Sequence, residues 1–109
     1  MPTQRNPEIS HVPRRKSFAY PIVLTDHVFD KVRAVDLTFA EFEALLDTGE
    51  IVEEHAISGE ELKEIVLLLA WTRPLHLVIV VDHRHREERI LTLYEPDPDQ
   101  WTPDYRSRR

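Results

Sequence analysis

Four side chains in this sequence have the types and spacing to do chemistry together. His27 and Lys31 lie at i and i+4 in "TDHVFDKV", so a helix there stacks an imidazole and an ammonium one turn apart. His76 follows Pro74 in "RPLHLVIVVD", and Tyr94 ends "ILTLY". If the polar turn "HRHRE" centres on His85, the flanking segments pair as a hairpin that sets His76 opposite Tyr94, Val78 opposite Thr92 and Val80 opposite Ile90. The other face then pairs Leu77 with Leu93 and Ile79 with Leu91, and is wholly apolar. An imidazole serves as general base, and a phenol donates to a leaving oxygen or a developing oxyanion. Metal-independent RNA cleavage needs this set: a base for the ribose 2′-hydroxyl, an acid for the leaving 5′-oxygen, and a cation for the phosphorane charge.

Each of these residues also has a plainer reading. A histidine beside an apolar strand is commonly a packed, hydrogen-bonded core residue, and Tyr94 at a strand end is commonly a rim aromatic. His27 and Lys31 also fit a solvated helix face. "DHRH", with Asp82, His83 and His85, suggests metal ligation, but no third ligand of the usual kind is evident nearby and the segment reads as a hairpin tip. No metal and no cofactor are expected. The acidic face of Glu41, Glu43 and Asp47 reads as solvated, or as a receiver for a basic partner.

The bulk composition narrows the classes. A chain of 109 residues with 41% hydrophobic content and only 2 glycines has room for one domain with one modest core. There is no cysteine, which excludes disulfides, thiolate catalysis and cysteine-ligated zinc. No apolar run reaches the ~18 residues of a membrane helix, and the polar start lacks a signal-type apolar stretch, so a soluble cytoplasmic protein is expected. The net charge of −6 speaks against a general nucleic-acid binder. The charge is uneven, however, with ten acids against Lys63 alone between Asp36 and Glu64, and arginines at both ends.

The elements that must position these groups follow from periodicity. Residues 1–17 contain three prolines and no apolar period, and read as a mobile arm. "FAYPIVL" is a short run that Pro21 confines to an edge. Thr25 or Asp26 caps a helix whose Val28, Val32 and Val35 share a face. Thr38 and Glu41 form a capping box for a second helix with a stripe of Phe39, Phe42, Leu45 and Leu46, closed by Gly49. "EIVEEHAI" reads as a strand. Ser58 and Glu61 make a further capping box, yet the continuous apolar run to Trp71 favours a strand over residues 64–72. Residues 18–101 thus form a single α+β domain, two N-terminal helices packed on a three- to four-stranded antiparallel sheet, followed by a basic tail over 102–109.

The segments "TDHVFDKV", "TGEIVEEH", "RPLHLVIVVD" and "ILTLYEPDPDQW", spread over residues 22–101, resemble the bacterial family named domain of unknown function 4258. Its members are similar in style to the RelE and BrnT toxins of toxin–antitoxin pairs. That resemblance implies a RelE-like fold, with the family's two histidines at His27 and His76 and its tyrosine at Tyr94. Lys31 stands where the family has an arginine, which keeps the charge without the planar fork. Val35 and Asp36 stand in place of a second arginine and the glycine after it. The expectation is a toxin-like endoribonuclease of a type II toxin–antitoxin system. His27 and His76 transfer protons, Lys31 stabilises phosphate charge, Tyr94 orients or donates, and Arg33 and Arg73 contact RNA. Its partners are then RNA and a small DNA-binding antitoxin, with a homo-oligomer also open. The contrasting expectation is a non-catalytic interaction module, or a degenerate toxin that only binds its partner.

Overall fold

The computed structural model describes residues 14–69 and 72–109. Thr25 caps the first helix, α1 (Asp26–Ala34), its side chain accepting from the backbone N–H of Val28, and the helix buries Val28 and Val32. Thr38 and Glu41 form a reciprocal capping box on α2 (Phe39–Leu45), as their spacing predicts. A single 3₁₀ turn, Leu46–Thr48, follows.

The sheet is larger than the sequence suggests, and it is mixed. Strands β1 (Arg14–Arg15), β2 (Ile22–Leu24), β3 (Glu50–Ala56), β4 (Glu61–Leu68), β5 (Leu75–Asp82) and β6 (Glu87–Tyr94) form one sheet in the order β1-β3-β4-β5-β6-β2. The expected three- to four-stranded antiparallel sheet with two N-terminal helices is therefore corrected to six strands, with β2 pairing parallel to β6. Two residues are too few to show a period, so β1 carries no signal of its own, whereas β2 falls in the "FAYPIVL" run that Pro21 confines to an edge. Both lie on the sheet edges.

β4 starts at Glu61 rather than near 64. The Ser58–Glu61 motif makes a turn instead of a helix start: Ser58 Oγ accepts from the N–H groups of Glu60 and Glu61 at 3.2 and 3.1 Å. The same hydroxyl chemistry serves either structure, and the continuous apolar run that follows decides for the strand. Gly49 does not close α2 in a left-handed conformation, since its φ is −68°. It is needed for close approach, because a Cβ there would lie 2.6 Å from Val66 Cγ1.

Alternation splits the apolar strand residues between two faces. Val66, Leu68, Leu77, Ile79 and Leu93 join Val28, Val32 and Phe42 in the core under the helices. Ile65 and Leu67 point the other way, with Val52, and are covered by Trp101 and Tyr105. Residues 102–109, expected as a basic tail, thus lie against this second face. Arg106 forms a two-bond fork with Glu50, and Arg108 reaches Glu53 at 2.8 Å. Next to β1, Lys16 is 5% exposed and forms an ion pair with Glu64 at 2.8 Å and a second with Glu88. The expected arm over 1–17 lies outside the described residues as far as 13.

The β5–β6 register holds from Tyr94 to Thr92 and then slips. His76, Leu77 and Val78 face Tyr94, Leu93 and Thr92, as the alternation predicts. A bulge then pairs Ile79 with Ile90 and Val80 with Arg89, so Leu91 is not opposite Ile79 and is 37% exposed. Burying both Leu93 and Ile90, three apart, on one face requires one extra residue between them. Among the described residues no helix is long and apolar enough to cross a membrane.

Candidate functional site

The site is built along β6 where β2 stops. β2 pairs only with Glu88, Arg89 and Ile90, so among the described residues no strand lies on the outer side of Leu91 to Tyr94. α1 packs beside it. His27 and Lys31 occupy successive turns of one stripe of this helix, and the helix is tied at its start to β6 and at its C-cap, Val35, to the end of β6. His27 Nε2 lies 3.1 Å from Thr92 Oγ1. Arg73 bonds the Val35 carbonyl at 2.8 Å and the Glu95 carboxylate at 3.0 Å, joining the end of the helix to the end of the strand. Lys31 lies between these ties and is half-buried, with no acidic partner among the described residues. Arg33 is exposed on another face and paired with Asp30.

Thr92 and Tyr94 alternate onto the same face of β6, about 7 Å apart along the strand. The phenol oxygen of Tyr94 sits 3.4 Å from His76 Nδ1, and the rings meet edge to face at 5.5 Å. His76 Nε2 lies 2.9 Å from the carbonyl oxygen of Tyr105. A carbonyl only accepts, so Nε2 carries the hydrogen and Nδ1 presents a lone pair to the Tyr94 hydroxyl. Trp101 closes the other side, its ring centred 4.4 Å from the imidazole at 80°. His76 is 0% exposed.

Burial dominates the electrostatics here. Desolvation lowers the His76 pKa to about 4, outweighing the Tyr105 carbonyl bond and the nearby Glu53 charge, both of which favour the protonated form. The ring is neutral at pH 7. Desolvation likewise raises the Tyr94 pKa, so its hydroxyl stays a donor.

The four residues singled out by type and spacing therefore fall into two linked pairs. His76 and Tyr94 meet beneath the Trp101 cover. His27 meets Thr92, one pleat along β6, on the solvent side. Lys31 is on the same helical stripe as His27 but touches neither aromatic ring of the buried pair. Sequence reasoning missed Thr92, Tyr105 and Trp101 as parts of this arrangement. Thr92 had a usable signal in its i, i+2 relation to Tyr94, whereas the Tyr105 carbonyl contact is long-range and leaves no mark on the sequence.

The "DHRH" segment has a different use. Asp82 Oδ1 accepts from the backbone N–H groups of Arg84 and His85 at 3.0 and 2.9 Å, and Oδ2 from His85 Nδ1 and Arg89 Nη1, both at 2.8 Å. The Arg89 and His85 bonds hold the Asp82 carboxyl well below the usual carboxylate range. Its oxygens are spent on ordering the β5–β6 turn.

Comparison with curated proteins and with solved structures gave no match. A family model does match, over residues 24–95, which takes in α1, α2 and β3 to β6 together with His27, Thr92 and Tyr94. The chain belongs to the family described as domain of unknown function DUF4258.

Proposed function

We propose that the protein is a toxin-like, metal-independent endoribonuclease of a type II toxin–antitoxin system, working in the cytoplasm and held in check by a small DNA-binding antitoxin. The observation that carries this reading is the placement of His27. Its imidazole is solvent-facing, anchored to Thr92, on the same helical stripe as the Lys31 ammonium and one pleat from the Tyr94 phenol. In this reading His27 takes the proton from a ribose 2′-hydroxyl, whose oxygen attacks the adjacent phosphorus. The P–O5′ bond breaks, and the leaving oxygen takes its proton from water. Lys31 stabilises the phosphorane charge, and Tyr94, whose one hydroxyl hydrogen points to His76 Nδ1 in the free protein, turns it to a phosphate oxygen when RNA binds. His76, with both nitrogens engaged, is a positioning residue for Tyr94 rather than a contact to substrate. Arg33 and Arg73 flank the same helix and contact phosphate without sequence preference only on leaving their partners Asp30 and Glu95.

The test is cleavage of a structured RNA by purified protein in the presence of chelator. Activity that falls at least 100-fold in His27→Ala supports the assignment, since a single general base contributes about 10²–10⁴-fold. Cleavage that survives the substitution removes it.

A second reading is favoured by a specific observation. His76 is sealed under Trp101 and the protein is acidic, as suits an interaction module that binds a partner without cleaving RNA. That reading expects no growth arrest on expression without the partner.

A further inference from the structure

Among the described residues, every arginine but two has its guanidinium bonded to a carboxylate or a backbone carbonyl. The two exceptions, Arg84 and Arg86, are both exposed and sit together on the β5–β6 turn, in the sequence His83-Arg84-His85-Arg86. In a protein of net charge −6, the two guanidiniums with neither kind of partner among the described residues thus share one turn.

The turn is built to hold that place still. The buried Asp82 carboxylate, 3% exposed, gathers two of its backbone N–H groups and the His85 ring. His83 donates its N–H to the Glu60 carbonyl at 2.8 Å, and its ring meets the Tyr20 hydroxyl at 2.8 Å. Arg86 adopts φ 54°, a left-handed conformation uncommon for its type. A turn ordered in advance loses less freedom when it binds. Four acids stand nearby: Asp82, Glu61 and Glu87 are occupied by Arg89, while Glu60 lines the same hollow of about 200 Å³ as Arg84 and His85.

We propose that this turn is a phosphate-contacting exosite for single-stranded RNA, with Arg84 and Arg86 each gripping a backbone phosphate. The inference rests on the ribonuclease reading above and adds to it where the RNA is held away from the cut. A planar guanidinium matches a phosphate with two parallel hydrogen bonds. An acidic protein segment is a poorer fit, because the turn offers no large apolar or aromatic anchor of the kind that carries a protein interface. β6 runs directly from the turn to Thr92 and Tyr94, a distance of about 20 Å over six residues. RNA lying along that strand reaches both.

The test is the salt dependence of binding to an unstructured RNA oligonucleotide, measured in the His27→Ala background so that the RNA stays intact. Arg84→Gln with Arg86→Asn removes both charges, asparagine being chosen because it tolerates positive φ. The slope of log K against log salt should shallow by about 1.4, at roughly 0.7 for each single-strand phosphate contact. Arg14→Gln, which removes an arginine already paired with Glu54, should leave the slope unchanged. An unchanged slope in the double variant overturns the proposal. So does a polyglutamate peptide that competes as well as RNA, which identifies an acidic protein segment as the occupant. A protein that binds RNA with the arginine-dependent slope but never cuts it loses the nuclease reading and keeps the exosite.

Discussion

The Nε2–H of His76 donates to the carbonyl oxygen of Tyr105 across 2.9 Å. This one bond fixes the tautomer of a buried imidazole, turns its lone pair toward Tyr94 and attaches the C-terminal segment to the face of the sheet. It also decides how the site responds to acid. The folded-state pKa of about 4 lies below the value near 6.5 of an exposed histidine. Between those values the unfolded chain binds the extra proton and the folded one does not. The stabilisation from keeping this ring neutral is therefore complete above about pH 6.5 and is lost as pH falls toward 4, some 3 kcal/mol in all. Urea midpoints between pH 7.5 and 4 should drop more steeply for the wild type than for His76→Leu, and an NMR titration should show the His76 ring still neutral at pH 5.5.

Lys16 stands between two buried carboxylates, Glu64 and Glu88, and Glu88 also accepts the N–H groups of Ala19 and Tyr20 at 2.6 and 3.1 Å. Desolvation raises the Glu64 pKa despite the lysine. Removing the cation leaves both acids buried without a counter-charge. Lys16→Met should cost about 3–5 kcal/mol in chemical denaturation, and adding Glu64→Gln should recover a large part of it. If Lys16→Met costs less than 1 kcal/mol, the triad is not what holds the N-terminal strand to the sheet.

At Gly49 the constraint is steric. A methyl group there would lie 2.6 Å from Val66 Cγ1, and Val66 is 1% exposed. Gly49→Ala should destabilise by about 1–3 kcal/mol, and Val66→Ala in the same chain should return less than its own single-site penalty by coupling to the relieved clash. A double-mutant cycle in thermal melts reads this directly, and strict additivity contradicts it.

Much of this architecture was legible in the sequence because it is local and periodic. The Thr38–Glu41 capping box, the valine stripe of α1 and the alternation that sets His76 against Tyr94 all follow from spacing. The remainder depends on distance. Leu91 and Ile90 are equally apolar, so nothing local says which of them the bulge turns outward. Arg14–Arg15 becomes a strand only because β3 offers it an edge, and nothing local shows that Ile22–Leu24 pairs parallel with β6. Ser58 and Glu61 carry a real capping signal that a following strand overrides. The proline-rich segment around Trp101 has no period, so its docking over His76 was hidden, and with it the fact that the imidazole is covered.

Thr92 is the residue that holds the exposed histidine. Thr92→Val keeps the shape and removes the hydroxyl that contacts His27. A positioning role expects kcat to fall about 10-fold or more with KM little changed, and Thr92→Ser to restore most of the loss. Equal losses in the serine and valine variants point to packing instead.

The most direct measurement is product analysis after incubation with a defined RNA and chelator, for the wild type and His27→Ala side by side. Attack by the 2′-hydroxyl leaves a 2′,3′-cyclic phosphate on one fragment and a 5′-hydroxyl on the other. These ends should form with the wild type and be at least 100-fold scarcer with the variant. Intact RNA in both, or the same ends at the same rate in both, contradicts the assignment of His27 as the base.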